Sequence, residues 1–122
     1  MAQPNIVNVA TIKAKNAAGA VTTSRAVAVD VSADKVAKIN TILIANIDGT
    51  NAADITLEVS VDNGSNYVKI ASTISVPADA TLSFLENPIY LDETDQLAVT
   101  ASANSDLTYF ISYEELDYAK EV

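Results

Sequence analysis

This sequence contains no cysteine, no histidine and no tryptophan, and it has only three glycines and three prolines. Without cysteine there is no disulfide, no thiolate nucleophile and no thiolate metal site. Without histidine the chain lacks the usual general base at neutral pH, the usual zinc ligand and every Ser–His or Cys–His pairing. Three glycines leave no phosphate-cradling loop of a familiar form. No apolar run approaches the ~18 residues of a membrane span. The opening MAQPNIVNVATIKAK has no basic segment followed by an apolar stretch, so no secretory signal is expected.

Basic residues are scarce as well. Seven Lys and Arg stand against 16 Asp and Glu, for a net charge of −9. Residues 1–78 carry six acids and six bases, whereas residues 79–122 carry ten acids and Lys120 alone. An acidic surface with scattered lysines repels phosphate backbones, so direct nucleic-acid binding is not expected. Such a charge keeps copies soluble and apart until a specific surface meets its partner.

What the chain does have is Val, Ile, Leu, Ala and Thr, with few strong helix formers, in a length suited to one domain with one core. Period-two alternation dominates. Ile55, Leu57, Val59 and Val61 alternate with Thr56, Glu58 and Ser60; Val27, Val29 and Val31 repeat the pattern with Asp30 outward. Leu97, Val99 and Ala101 form a third row, and Leu107, Tyr109, Ile111 and Tyr113 a fourth. The run Ile42-Leu43-Ile44-Ala45 is apolar on both parities, which predicts a central strand covered twice.

Turn signals separate these runs. Asn16-Ala17-Ala18-Gly19 predicts a first hairpin, Asn63-Gly64 supplies the positive φ angles of a tight reversal, and Pro77 and Pro88 end later strands. Eight to nine strands are predicted, near 5–15, 20–31, 36–47, 53–61, 67–75, 80–85, 89–91, 96–103 and 107–115. Short strands at this spacing predict an all-β fold: a single-domain, antiparallel, jelly-roll-like β-sandwich. Residues 1–20 read as an N-terminal strand or an arm, 21–116 as the sandwich core and 117–122 as a C-terminal tail; only 114–121 has helix-compatible composition.

Candidate chemistry is thin. Asp92, Glu93 and Asp95 cluster in LDETDQLAVT, but their spacing matches no calcium loop, and a catalytic carboxylate pair needs a concave pocket between the acids. A turn with its carboxylates on a solvated tip is expected. Asp62-Asn63-Gly64-Ser65-Asn66 lacks the distal Glu of an EF-hand, and Asp48-Gly49-Thr50-Asn51 is read the same way, as a turn. Thr22, Thr23 and Ser24 offer hydroxyls with no base nearby in sequence. No enzymatic activity, cofactor or metal site is expected.

The order of segments in the second half carries a resemblance. Ala45-Asn46-Ile47-Asp48-Gly49-Thr50 is followed by the strand 55–61 and the Asp62-Asn63-Gly64 turn. Val76-Pro77-Ala78-Asp79, Asn87-Pro88-Ile89-Tyr90-Leu91, the acidic turn and Leu97-Ala98-Val99-Thr100-Ala101 come next, and Ile111-Ser112-Tyr113 closes the series. Over about residues 36–116 this resembles the small β-sandwich virion proteins of tailed bacteriophages, most of all capsid decoration (cement) proteins. Thr94 stands where that texture often has glycine. The resemblance implies a homotrimer on the outer capsid surface of the virion that clamps neighbouring major capsid protein subunits, made in the bacterial cytoplasm and needing no membrane. A neck, tail or fibre component with a carbohydrate- or receptor-binding sandwich is the alternative. The expected engaging surface is the N-terminal segment, with apolar Ile6, Val7, Val9 and Ile12 and the charges of Lys13 and Lys15, pairing with a neighbour's sheet edge or simply forming the first strand.

Overall fold

The computed structural model describes the backbone of residues 4–120 and the side chains of residues 11–117. Nine strands make up the fold: β1 (Pro4–Val21), β2 (Ala26–Asp30), β3 (Lys35–Asn46), β4 (Ala53–Ser60), β5 (Val68–Val76), β6 (Thr81–Ser83), β7 (Ile89–Leu91), β8 (Gln96–Ala101) and β9 (Leu107–Lys120). They form two antiparallel sheets. One has the order β1-β9-β3, with β6 and β7 pairing successive stretches of β3; the other has the order β2-β8-β4-β5. The pairing is nested: first strand with last, second with eighth, third with sixth and seventh, fourth with fifth. This is the wrapping of a jelly roll.

The core lies between the sheets. Ile39, Ile42 and Ile44 of β3, Ile55 and Leu57 of β4, Leu97 and Val99 of β8, and Leu107 and Ile111 of β9 are fully enclosed. Tyr109 and Tyr113 pack against them from the same row of β9, as alternation predicts. Phe84 and Leu85, between the short edge strands β6 and β7, also pack on this core.

Five expectations need correction. No hairpin turn forms at Asn16–Gly19, because β1 runs unbroken through it. Each of those residues pairs with β9, from Asn16 opposite Ser112 to Gly19 opposite Tyr109. A long partner strand supplies ladder bonds that two alanines accept readily. At Gly19 an added Cβ would sit 3.3 Å from the Tyr109 hydroxyl oxygen, so the glycine serves packing rather than reversal.

β3 is central by pairing, but its 42–45 stretch is covered on one face only: Ile42 and Ile44 are buried, while Leu43 and Ala45 are half-buried on the other side. In β2 a register shift between Val27 and Val29 turns Val27 to solvent while Val29 stays in the core. Similarly, β4 ends at Ser60, which leaves Val61 exposed. β9 continues through residues 117–120 as strand, paired with the start of β1.

Candidate interaction surface

β1 is an edge. Its one partner among the described residues is β9, and its other side carries no strand. Residues 11–20 are exposed apart from half-buried Ala17, and Val21 alone is enclosed. From Thr11 to Val21 the pairing with β9 is one-to-one over eleven consecutive residues, whereas register shifts interrupt it before Thr11. The parity of Ala17 and Val21 faces the core. Ile12, Ala14, Asn16, Ala18 and Ala20 therefore line the outer face, across from Leu116, Glu114, Ser112, Phe110 and Thr108 of β9. Phe110, 42% exposed, stands on that face between Ala18 and Leu43.

Of the expected interface residues, Ile12 is 62% exposed on this edge strand. Lys15 sits 3.5 Å from Glu115, and Lys13 lies opposite Glu115 in register. Lys35 pairs with Asp117 at 3.4 Å from the other side, and Lys38 lies opposite Glu114. The acidic stretch of β9 is thus flanked by two basic strands, which the charge asymmetry along the chain concealed. Ile6, Val7 and Val9 fall within β1, and their side chains lie outside the described residues.

The acidic stretch 92–95 is a turn, but not a solvated tip. Glu93 and Asp95 are only 7% and 6% exposed. The Asp34 N–H donates to Glu93 at 2.8 Å, the Asp92 N–H to Asp95 at 2.9 Å, and the Glu93 N–H to Asp92 at 2.7 Å. Backbone bonds from Thr94 N–H to the Val31 carbonyl and from Val31 N–H to the Asp95 carbonyl lock this turn to the β2–β3 connection. Burial raises the Asp95 carboxyl above its ordinary range, against the opposing pull of the Asp92 N–H.

The other acidic turns are also occupied with their own backbone. Asp48 accepts from the N–H groups of Thr50 and Asn51, which hold its carboxyl below the usual range. Asp62 is lowered by the Asn66 side chain and N–H together with the Ser60 hydroxyl. Asn63 and Gly64 take the expected positive φ angles, 59° and 84°. Among the described residues, no group of three or more acidic side chains is arranged to hold a metal ion.

Sequence reasoning missed a cluster on the outer face of the β2-β8-β4-β5 sheet. Arg25, just before β2, reaches across β8 to Glu58 on β4, and Lys69 of β5 lies 4.0 Å from the same carboxylate. The guanidinium also lies over the Tyr67 ring, 4.1 Å from its centre, while the Tyr67 hydroxyl donates to Gln96 at 2.5 Å. An Arg and a Glu separated by 33 positions leave no local sign of this pairing. Asn46 is a second omission: buried at the end of β3, its amide donates to the carbonyls of Val76 and Asn51 and accepts the Asp48 N–H.

No protein-family model matches this chain, and no curated protein matches it. One solved structure shares the fold. A subunit of the disulfide-linked pili that form Bacillus endospore appendages superposes with a TM-score of 0.52 at 14% identity, covering 89% of this chain and 88% of that one. A pentameric capsid protein from metagenomic phage sequences gives a looser match, with a TM-score of 0.41 at 12% identity over 96% of this chain and 68% of that one. At 14% identity the likeness to the pilus protein is one of fold. The disulfide linkage of the pili has no counterpart in a chain without cysteine.

Proposed function

We propose that this chain is a non-enzymatic structural protein of a tailed-phage virion that decorates the outer capsid shell and bridges major capsid protein subunits. The observation that carries this is how its polar groups are used. Asp48, Asp62, Asp92, Glu93 and Asp95 are bound to the backbone of their own turns or of neighbouring ones, and Glu58 is bound to Arg25. Its open feature is a strand edge beside a face of small residues with the exposed Phe110, which suits recognition by other protein subunits. Several weak contacts made together by an assembled module gain effective concentration, so modest single contacts suffice for firm attachment. The resemblance over residues 36–116 supplies the phage setting.

The test is the molar ratio of this protein to the major capsid protein in purified virions. A ratio near parity supports decoration of the shell. A few copies per particle overturns it in favour of a neck, tail or fibre role, and absence from particles overturns both.

One observation favours a receptor- or carbohydrate-binding role as the second reading: Tyr90 of β7 is 54% exposed beside Lys38, and sugar platforms present exposed aromatics. A glycan screen with Tyr90→Ala as control tests it. Binding abolished by the substitution supports it, and no binding by the unaltered protein removes it.

A further inference from the structure

We propose that β1 pairs antiparallel with β1 of a second copy of this chain about a twofold axis at Asn16, joining the two β1-β9-β3 sheets into one. Native sheets blunt their edges with bulges, proline, short strands or inward charge. The other edges here follow that practice. β6 and β7 are three residues each, β2 has five residues and a register shift, and β5 is interrupted by shifts and by Thr73 at φ 47°. β1 between Thr11 and Val21 has no bulge and no proline, and it is the longest strand in the fold; Lys13 and Lys15 are the blunting charges it carries.

Charge permits contact at the same surface. A chain of net charge −9 repels its own copies, yet residues 1–29 contain no acid, and the two lysines of this edge are offset by Glu114 and Glu115 of β9, so two copies meet here with little repulsion. The two lysines of the strand then select the register. Pairing Asn16 with Asn16 of the second copy matches all eleven regular residues, and it sets Lys13 opposite Gly19, Lys15 opposite Ala17, Ala14 opposite Ala18 and Ile12 opposite Ala20. Slipping by one residue on each strand toward the N-terminus puts Lys15 directly against Lys15, and the next slip puts Lys13 against Lys15. Directly opposed like charges destabilise a strand pair. Slipping the other way shortens the ladder. Registers that reach back beyond Thr11 meet the shifts in β1 that spoil the edge. In the favoured register the outer faces combine small residues flanked by Phe110 from both copies.

The twofold assembly stands independently of the capsid proposal, and it differs from the threefold ring that the resemblance implies. Sedimentation equilibrium of the full chain decides the state: a concentration-dependent dimer is expected, whereas a monomer or a trimer at the highest soluble concentration overturns the proposal. The register is read with single cysteines, since the chain has none of its own. Directly opposed Cα atoms lie about 4.5–5.5 Å apart, within disulfide reach. Asn16→Cys is therefore expected to form linked dimers on oxidation. Ala20→Cys is not, because its counterpart lies about 27 Å away along the ladder. Equal or reversed yields overturn the register.

Charge exchange at exposed positions supplies a second check. Ala14→Lys with Ala18→Lys is expected to weaken association about tenfold, and Ala14→Lys with Ala18→Glu to restore it. Far-UV circular dichroism verifies that each variant keeps its sheets. Indifference of the dimer to both pairs, with the fold intact, refutes the β1 contact.

Discussion

Arg25 holds Glu58 through two parallel hydrogen bonds, Nε to Oε1 and Nη2 to Oε2, each 3.0 Å long, and it does so across an intervening strand. The crossing is possible because β8 presents Ala98 between Val27 and Glu58, and that methyl is completely covered. The two partners are unequal: the Glu58 side chain is 5% exposed and that of Arg25 47%. Breaking a buried pair from one side leaves an uncompensated charge and in general costs about 3–5 kcal/mol. Here the half-exposed guanidinium is well solvated and Lys69 stands nearby, so the loss falls below that range. Arg25→Met is expected to destabilise more than Glu58→Gln, because only the former strands a buried carboxylate. Urea denaturation of both variants checks the order.

Asp95 sets the sign of one pH effect. Its folded-state carboxyl titrates above the ordinary 3.8, so the native state holds this proton more tightly than the unfolded state does. The group costs nothing below that ordinary value. As pH rises through the raised folded value the stability falls, and it stays reduced above. Asp95→Asn keeps an oxygen to accept the Asp92 N–H and has no charge to bury. The variant is expected to be more stable than the parent at neutral pH, with the difference vanishing below about pH 3.8. Thermal melts of both proteins across the acidic range measure the gap.

Thr94 carries backbone strain. Its φ is 66°, a left-handed conformation that a β-branched residue adopts at a cost. It keeps this angle because its N–H is bound to the Val31 carbonyl at 2.8 Å, which fastens the turn to the β2–β3 connection. Glycine meets the same geometry without a Cβ clash but loses more chain entropy on folding. Thr94→Gly is expected to stabilise the fold by about 0.5–1 kcal/mol, from a left-handed penalty of about 1–2 kcal/mol less the glycine entropy. Guanidinium denaturation gives the difference directly.

Asn46 uses one side chain to satisfy three backbone groups in two separate segments: the Val76 carbonyl at the end of β5, and the Asn51 carbonyl and Asp48 N–H in the β3–β4 connection. Asn46→Ala strands buried polar groups with little access to water. A loss of roughly 2–4 kcal/mol is expected, since each orphaned group costs about 1–3 kcal/mol. Asn46→Asp keeps the acceptor for Asp48 but loses both donors, so it is expected to recover little of that loss. Equilibrium unfolding of the pair tests the ranking.

Alternation along single strands made the architecture legible. The rows at Ile55–Val59, Leu97–Ala101 and Leu107–Tyr113 all lie where period two puts them, and Asn63-Gly64 turns with the φ angles its residue types favour. Relations between distant segments were not legible. Nothing local in NAAG shows that β9 will be alongside to keep it extended, and nothing in LDETD shows that the Asp34 N–H will arrive to cover Glu93. Of the expected interface, Ile12 lies on a strand as the pattern predicts, but that this strand is an edge depends on which strands become neighbours. That Lys15 would be drawn to Glu115, 100 positions away, depends on which strands become neighbours, and alternation sets faces without choosing neighbours.

The nesting of first strand with last has a consequence during synthesis. β9 is the interior strand between β1 and β3, so until residues 107–120 have been made β1 has no partner among the described residues and β3 has only the short strands β6 and β7. Until then the longest strand of the fold has no partner, and the first sheet closes only once β9 is available. Pairings this remote in sequence form slowly, and they leave nascent chains open to mispairing with one another. Rapid overproduction therefore selects for tangled β1 segments, and slowing synthesis favours the completed roll.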